Sequence, residues 1–289
     1  MKRLAVIGPG RVGRTLARLF HTAGVFEIGA LVARQDETAR QAAAFIGAGE
    51  PGGGLDAADI ILVSVPDPAL ESMIAGLAGT PFKPGAIIAH TSGALGPELF
   101  APLADSGARM VCAHPVKAFS DPARSVATFA GTMTTLQGEA GARAALAEAF
   151  QAIGGQTLDL PDGTDRTLYH AAIVFMANHL PTLVQAGLET FARAGISGAD
   201  GLAITGPILR DTLEAVLERG PAAALTGPVA RGDAAMIARH LEKLGQADTE
   251  LASLYAALAR ATADLSAEKG EASVEGLLAI RELTAPKAD

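Results

Sequence analysis

The run Gly8-Pro9-Gly10-Arg11-Val12-Gly13 follows directly on the apolar segment Leu4-Ala5-Val6-Ile7, and that placement constrains the fold more than any other feature of the chain. Between a strand and a helix, a G-x-G-x-x-G run needs each glycine for a separate reason. The first permits the tight turn, the second lets the backbone approach a pyrophosphate, and the third lets the helix pack closely on the strand. The positive end of that helix, from Arg14 to about His21, then presents unpaired N–H groups to an anion. In a chain with 33 glycines the run alone is weak, and a ligand-free glycine turn is the alternative reading.

The next segment supports the motif. Phe26 to Val32 reads as a second strand, completing a βαβ unit of about 30 residues. An acidic residue at its end would bind the ribose hydroxyls of NAD, but this strand runs out into Ala33-Arg34-Gln35. A guanidinium there can fork onto a 2′-phosphate, so Arg34 points to NADP. Asp36 is the alternative ribose partner if the strand ends two residues later.

Further buried-type strands are expected at Ile60 to Val65, Ala86 to Ala89 and Arg109 to Ala113, with weaker ones at Thr132 to Leu136 and Gln156 to Leu160. Apolar runs without alternation mean strands covered on both faces, the mark of a parallel sheet. The fold class expected is therefore α/β, a doubly wound and mostly parallel sheet followed by an all-helical C-terminal domain. Ligands bind beyond the carboxyl ends of such strands, so Val65-Pro66, His90-Thr91-Ser92 and His114-Pro115 should open onto one crevice with the glycine loop. The Gly49-to-Gly54 run reads as a loop. From Arg166 onward only helices are expected, near 167–194, 207–218, 233–244, 248–269 and 273–283. The domains expected are 1–162 for the dinucleotide and 163–289 for substrate and dimerisation. Thr205-Gly206-Pro207 and Thr226-Gly227-Pro228 each read as a turn before a helix, and Asp233 as an N-cap.

Composition excludes several classes. The formal charge is −8 with no basic cluster, there is no tryptophan, and tyrosine occurs twice, so nucleic acid is not an expected partner. No unbroken apolar stretch reaches the roughly 18 residues of a membrane span, and the first strand begins at Leu4 where a signal peptide would lie, so the expectation is cytoplasmic. Cys112, the single cysteine, reads as a small core residue, and the six histidines show no metal spacing.

The chain resembles a bacterial family of NADP oxidoreductases that join a Rossmann-like domain to a helical C-terminal domain of unknown function. That family is related to pyrroline-5-carboxylate reductase, the 6-phosphogluconate and 3-hydroxyacid dehydrogenases and prephenate dehydrogenase. The resemblance rests on the glycine run, Val63-Ser64-Val65-Pro66-Asp67, His90-Thr91-Ser92-Gly93, Ala113-His114-Pro115-Val116-Lys117-Ala118-Phe119, Tyr169-His170-Ala171-Ala172 through Asn178-His179-Leu180, and the Leu225-to-Asp233 segment. It implies a nicotinamide near Val65, Pro66, Thr91 and Ser92, with substrate toward the helical domain, and a homodimer through the helical domains. The hydroxyacid dehydrogenases carry a lysine four residues before an asparagine on the first helix of that domain; here Asn178 is kept and Val174 stands in the lysine position. The candidate catalytic residues are His114 and Lys117 as proton donor or cation and Asn178 as orienting amide, acting on a small and anionic carbonyl, imine or hydroxy compound. His114 bonded to a backbone carbonyl is the structural alternative. His170 and His179 read as packing residues, His21 and His240 as surface ones, and Arg231 as a carboxylate holder or a salt bridge. A binding-only sensor that has lost turnover is the alternative function.

Overall fold

A computed structural model describes residues 1–286. Eight strands form one sheet: β1 (Lys2–Ile7), β2 (Phe26–Val32), β3 (Glu50–Pro51), β4 (Ile60–Val63), β5 (Ile87–His90), β6 (Arg109–Pro115), β7 (Met133–Gly138) and β8 (Gln156–Asp159). Their order is β3-β2-β1-β4-β5-β6-β7-β8, parallel except for the antiparallel β6/β7 pair. Between them run α1 (Arg11–Thr22), α2 (Asp36–Ile46), α3 (Asp67–Gly76), α4 (Pro122–Ala127) and α5 (Ala140–Ala152), with a 3-10 helix at Pro97–Leu103 after β5. The two-residue β3 lies inside the glycine run expected to be all loop; its single pairing, Ala30 with Glu50, explains why no apolar pattern announces it.

The period of two along each strand feeds two cores. Leu4, Val6, Ile60, Leu62, Ile87, Ala89, Val111 and Ala113 pack on one face with Leu16, Phe20 and Phe150. Ala5, Ile7, Ile61, Val63, Ile88 and Cys112 pack on the other with Leu70, Ile74, Phe100 and Leu103. Burial on both faces is why these strands read as continuous apolar runs rather than alternating ones.

After β8 come α6 (Arg166–Ile173), a π-helical turn (Val174–Asn178), α7 (Leu180–Arg193), α8 (Gly198–Arg219), α9 (Pro221–Ala224), a 3-10 turn (Val229–Arg231), α10 (Ala234–Ala247), α11 (Thr249–Lys269) and α12 (Val274–Leu283). The chain divides into two compact units, Met1–Phe175 and Met176–Asp289, so the division falls in the π-helical turn rather than at residue 162. The expected turn at Thr205-Gly206-Pro207 is not one: Pro207 sits inside α8, whose start is fixed earlier by the Ser197 hydroxyl accepting from the Asp200 N–H at 3.2 Å. A strong N-cap, together with the turns of helix that follow Pro207, outweighs one missing amide donor. Asp233 does cap α10, accepting from the Met236 N–H at 3.0 Å.

The segment Arg166–Arg193 is long and apolar enough to cross a membrane by length and composition, with a mean hydropathy of 1.3 and none of that window buried. A search for an unbroken apolar run passes over it because Asn178, His179 and Gln185 interrupt the pattern. In the second unit the buried core is small, formed by Val229, Ile237, Ala259, Ala263, Leu277 and Ile280. Helix α7 buries no residue and α8 only Gly201.

Candidate functional site

The strand order reverses between β1 and β4, and the glycine loop lies at that reversal. Gly8 has φ +77°, and a Cβ there would meet Val65 Cγ1 at 2.6 Å and the Ser64 carbonyl oxygen at 2.9 Å. Only glycine fits, because the loops after β1 and β4 are in van der Waals contact. Gly13 is equally confined, its virtual Cβ 2.9 Å from the Gly8 oxygen and 3.0 Å from Val6 Cγ1, so the third glycine brings α1 onto β1. Gly10 differs: the nearest neighbour to a Cβ there is 3.9 Å away. Its bare backbone faces room that a ligand's phosphates can occupy. Gly10 is also the N-cap of α1 and contributes no side-chain cap, and the first turn holds no acidic residue. The N-terminal N–H groups and the helix dipole are left for an anion. Below the loop, Arg14 Nε donates to the carbonyls of Pro9 and Gly10, both at 3.2 Å. Arg11 and Val12 open the helix, with Arg11 exposed.

The Gly8 N–H donates to the Val32 carbonyl at 2.8 Å, which ties the end of β2 to the loop. Arg34 lies two residues beyond that tie and is exposed. Asp36 is the first residue of α2, where with Glu37 it complements the helix dipole. At the other strand ends, Pro66 is the exposed N-cap residue of α3 and Val65 is half-buried against Gly8. Thr91 Oγ1 donates to Ser64 Oγ at 3.3 Å. Ser92 is buried, and its hydroxyl accepts from the N–H groups of Ala94 and Leu95 at 3.2 and 3.1 Å. That hydroxyl therefore shapes its own turn.

His90 does not open onto a crevice. It is fully buried, stacked on Phe100 with ring centroids 5.1 Å apart, and its Nε2 meets Cys112 Sγ at 3.1 Å. Burial, then the charge of Arg166, holds the imidazole down at about 4, and burial pushes the Cys112 thiol up to about 12.

His114, near the end of β6, is the centre of a polar cluster. The Tyr169 hydroxyl bridges His114 Nδ1 and Thr135 Oγ1, at 3.0 Å to each. The register of β6 against β7 pairs His114 with Thr135, and α6 carries Tyr169 over both. The His170 ring centroid is 6.5 Å from that of His114. A Cβ on Gly93 would lie 2.9 Å from both His114 Nε2 and His170 Cδ2, so glycine is what lets the strand-end loop close on this pair. Burial, then the charges of Arg166 and His170, lowers His114 to about 4. The bond expected for a purely structural His114 was to a backbone carbonyl; its partner is instead a phenol. Tyr169 had no chemical signal in the sequence beyond its place beside His170, because its partners are 55 and 34 residues away.

The other sequence candidates are placed elsewhere. Lys117 Nζ donates to the Thr128 carbonyl at 2.8 Å, closing the C-terminal end of α4, a bond it must give up to meet a substrate. Asn178 is exposed at the end of the π-helical turn and belongs to the second unit. Arg231 is exposed in a 3-10 turn, with no ion pair among the described residues. His240 is not a surface residue: it is half-buried, its Nδ1 2.7 Å from the Tyr255 hydroxyl, and it lines a cavity of about 800 Å³ with Phe191, Leu244 and Leu258 in the second unit.

Two families match the chain, one described as a Rossmann-like domain over residues 2–115 and the other as a domain of unknown function, DUF2520, over residues 132–262. The chain therefore joins a Rossmann-like domain to a DUF2520 domain. No curated protein matches it. Among solved structures, this Rossmann-like and DUF2520 chain is similar to a Bacteroides fragilis protein described as a candidate NADP oxidoreductase, with 22% identity and a TM-score of 0.71 over 90% of this chain and 97% of that one. A Thermotoga maritima protein gives 19% identity and a TM-score of 0.71, over 92% and 99%. A reductive aminase from Aspergillus terreus, solved with NADPH and ethyl-5-oxohexanoate, gives 16% identity and a TM-score of 0.59, over 98% and 92%. At these identities the likeness shows the fold shared by the three.

Proposed function

We propose that this protein is an NADP-dependent oxidoreductase acting on a small, anionic carbonyl, imine or hydroxy compound. The observation that carries the reading is the pairing, at the carboxyl ends of one sheet, of an uncapped glycine-loop helix with a neutral, hydrogen-bonded His114. Gly8, Pro9, Gly10, Arg11, Val12 and Gly13 hold the pyrophosphate, Arg34 the 2′-phosphate, and Val65, Pro66, Thr91 and Ser92 the nicotinamide side. NADPH held by these residues would supply hydride chemistry at a substrate carbon. His114, neutral at pH 7, would present its Nε2–H as a hydrogen-bond donor to the charge that develops on the reacting oxygen or nitrogen, and the proton would come from water. With Nδ1 accepting from Tyr169, the ring carries its hydrogen on Nε2, the atom beside Gly93, and Thr135 holds the Tyr169 hydroxyl in line. Lys117 is the candidate cation that the sequence offers on the same unit. The NADPH-bound reductive aminase from Aspergillus terreus, which shares this fold, supports the cofactor side of this reading. The test is a panel of keto acids, cyclic imines and hydroxy acids followed at the NADPH absorbance; tight NADPH binding with no turnover across the panel would favour the sensor reading.

Cofactor choice is tested separately. NADPH should bind at least about ten-fold more tightly than NADH, the worth of one charge-assisted guanidinium–phosphate contact, and Arg34→Ala should erase most of that preference. Equal affinities by fluorescence titration would refute the role of Arg34.

We also propose that the helical unit pairs with a second copy. On α8, Leu202, Leu209, Leu213 and Leu217 are 48, 39, 52 and 75% exposed, at helical spacing. Such a continuous apolar face exceeds what a monomer usually shows to water. Light scattering at micromolar concentration should give twice the 29.2 kDa chain mass. A single-chain mass that does not rise on concentrating would refute it.

A further inference from the structure

Arg166, at the start of α6, is 4% exposed. Its Nη2 donates to the Ser92 carbonyl at 2.8 Å, and its guanidinium carbon sits 5.0 Å from the centroid of the Tyr169 ring. Nε and Nη1 have no hydrogen-bond partner among the described residues, and neither does the side chain have an ion pair there. A guanidinium keeps its charge in any protein environment, and a buried charge without a counter-charge costs several kcal/mol as a rule. One carbonyl dipole does not offset that. The neighbouring sequence supplies no acid: Asp165 is exposed and spends its carboxylate on the Leu168 N–H.

We propose that Arg166 is the anion-binding residue of the site and that its missing partner is the carboxylate of the substrate. Nη2 carries two hydrogens and makes one bond, so one edge of the fork, Nη2 with either Nε or Nη1, remains whole for a bidentate carboxylate. A monoanion fits better than a phosphate dianion because Arg166 is the one charge to be balanced; His90 and His114 are neutral at pH 7. Access comes from the side of His114, Tyr169 and His170, each of which is partly exposed. Arg166 and His114 flank the same Tyr169 ring, at 5.0 and 5.9 Å from its centroid. A molecule held by the first therefore meets the second only if it is small, with its reducible carbon a few bonds from the carboxylate. This assignment replaces Lys117 as the cation, and its extension from anion to substrate rests on the reductase reading.

Binding can be read without turnover. The chain has no tryptophan and two tyrosines, so the full-length Tyr255→Phe protein leaves Tyr169, stacked on Arg166, as the reporting fluorophore. Titration with 2-oxobutanoate should change its emission saturably in the millimolar range, while the neutral 2-oxobutanamide should not, and inorganic phosphate should bind at least ten-fold more weakly than the carboxylate. Adding Arg166→Lys, which keeps the charge but loses the fork, should weaken 2-oxobutanoate at least ten-fold; Arg166→Met should abolish the response. Far-UV circular dichroism certifies folding, and Arg166→Lys decides alone if the methionine variant fails to fold. The proposal is overturned by the absence of a saturable response, by an equal response to the amide, by phosphate binding as tightly as the carboxylate, or by affinity retained in Arg166→Lys. Loss of turnover with carboxylate binding intact would instead count against the reductase reading.

Discussion

Replacing His114 with asparagine is expected to lower NADPH-dependent turnover by about 10²- to 10³-fold, the usual worth of one positioned donor to developing charge, while leaving NADPH affinity within about two-fold. The second half follows from the geometry: the ring contacts Tyr169, Gly93 and His170, and none of the glycine-loop residues. Tyr169→Phe keeps the ring and deletes the hydroxyl that fixes the tautomer, so a smaller loss with an altered pH profile is expected. Lys117→Ala tests the competing candidate. A loss as large as that for His114 would place the lysine in the mechanism despite its bond to Thr128; a loss under about three-fold leaves it as a helix closure. Full turnover in His114→Asn would remove the histidine from the chemistry.

The second large effect is on stability. His90 and His114 are both lowered from 6.5 to about 4 in the folded protein, first by burial and then by the charge of Arg166. Because each folded value lies below the unfolded one, the unfolded chain takes up protons first as the pH falls. The stability is therefore full above about 6.5 and is lost between about 6.5 and 4. At pH 5 the deficit is about 1.5 pH units per ring, about 2 kcal/mol each. Urea unfolding followed by circular dichroism should show a midpoint that drops clearly between pH 7.5 and 5, and His114→Asn should remove about half of that drop. A flat midpoint would mean that the folded protein protonates both rings.

Much of the first unit was legible in the sequence because its signals are local. Five apolar strands and a glycine run with required spacing need no partner to be recognised, and Phe26–Val32 came out with the observed limits. The site was less legible because its bonds span long separations. Thr135, Tyr169 and Arg166 act through partners 34 to 74 residues away, and no composition or periodicity marks a tyrosine that will meet a histidine across a sheet. Pro207 misled for the opposite reason, since a local breaker signal was overruled by a cap ten residues earlier. His240 read as a surface residue because its partner, Tyr255, sits on another helix.

The antiparallel pairing of β6 and β7 has a consequence for how this chain can change. The turns that leave β4, β5 and β6 meet at the glycine-loop edge, where a residue added to one displaces its neighbours. Because β7 and β8 run the other way, their exits at Glu139 and Leu160 lie on the opposite edge, beside Met110 at the start of β6. Length can accumulate at Glu139 without disturbing the cluster around His114, whereas Leu160 leads within six residues into α6 and its Arg166 and Tyr169. Homologues should therefore differ in size near residue 139, and keep the spacing from Val63 to Asp67, from His90 to Gly96 and from Leu160 to Arg166 constant.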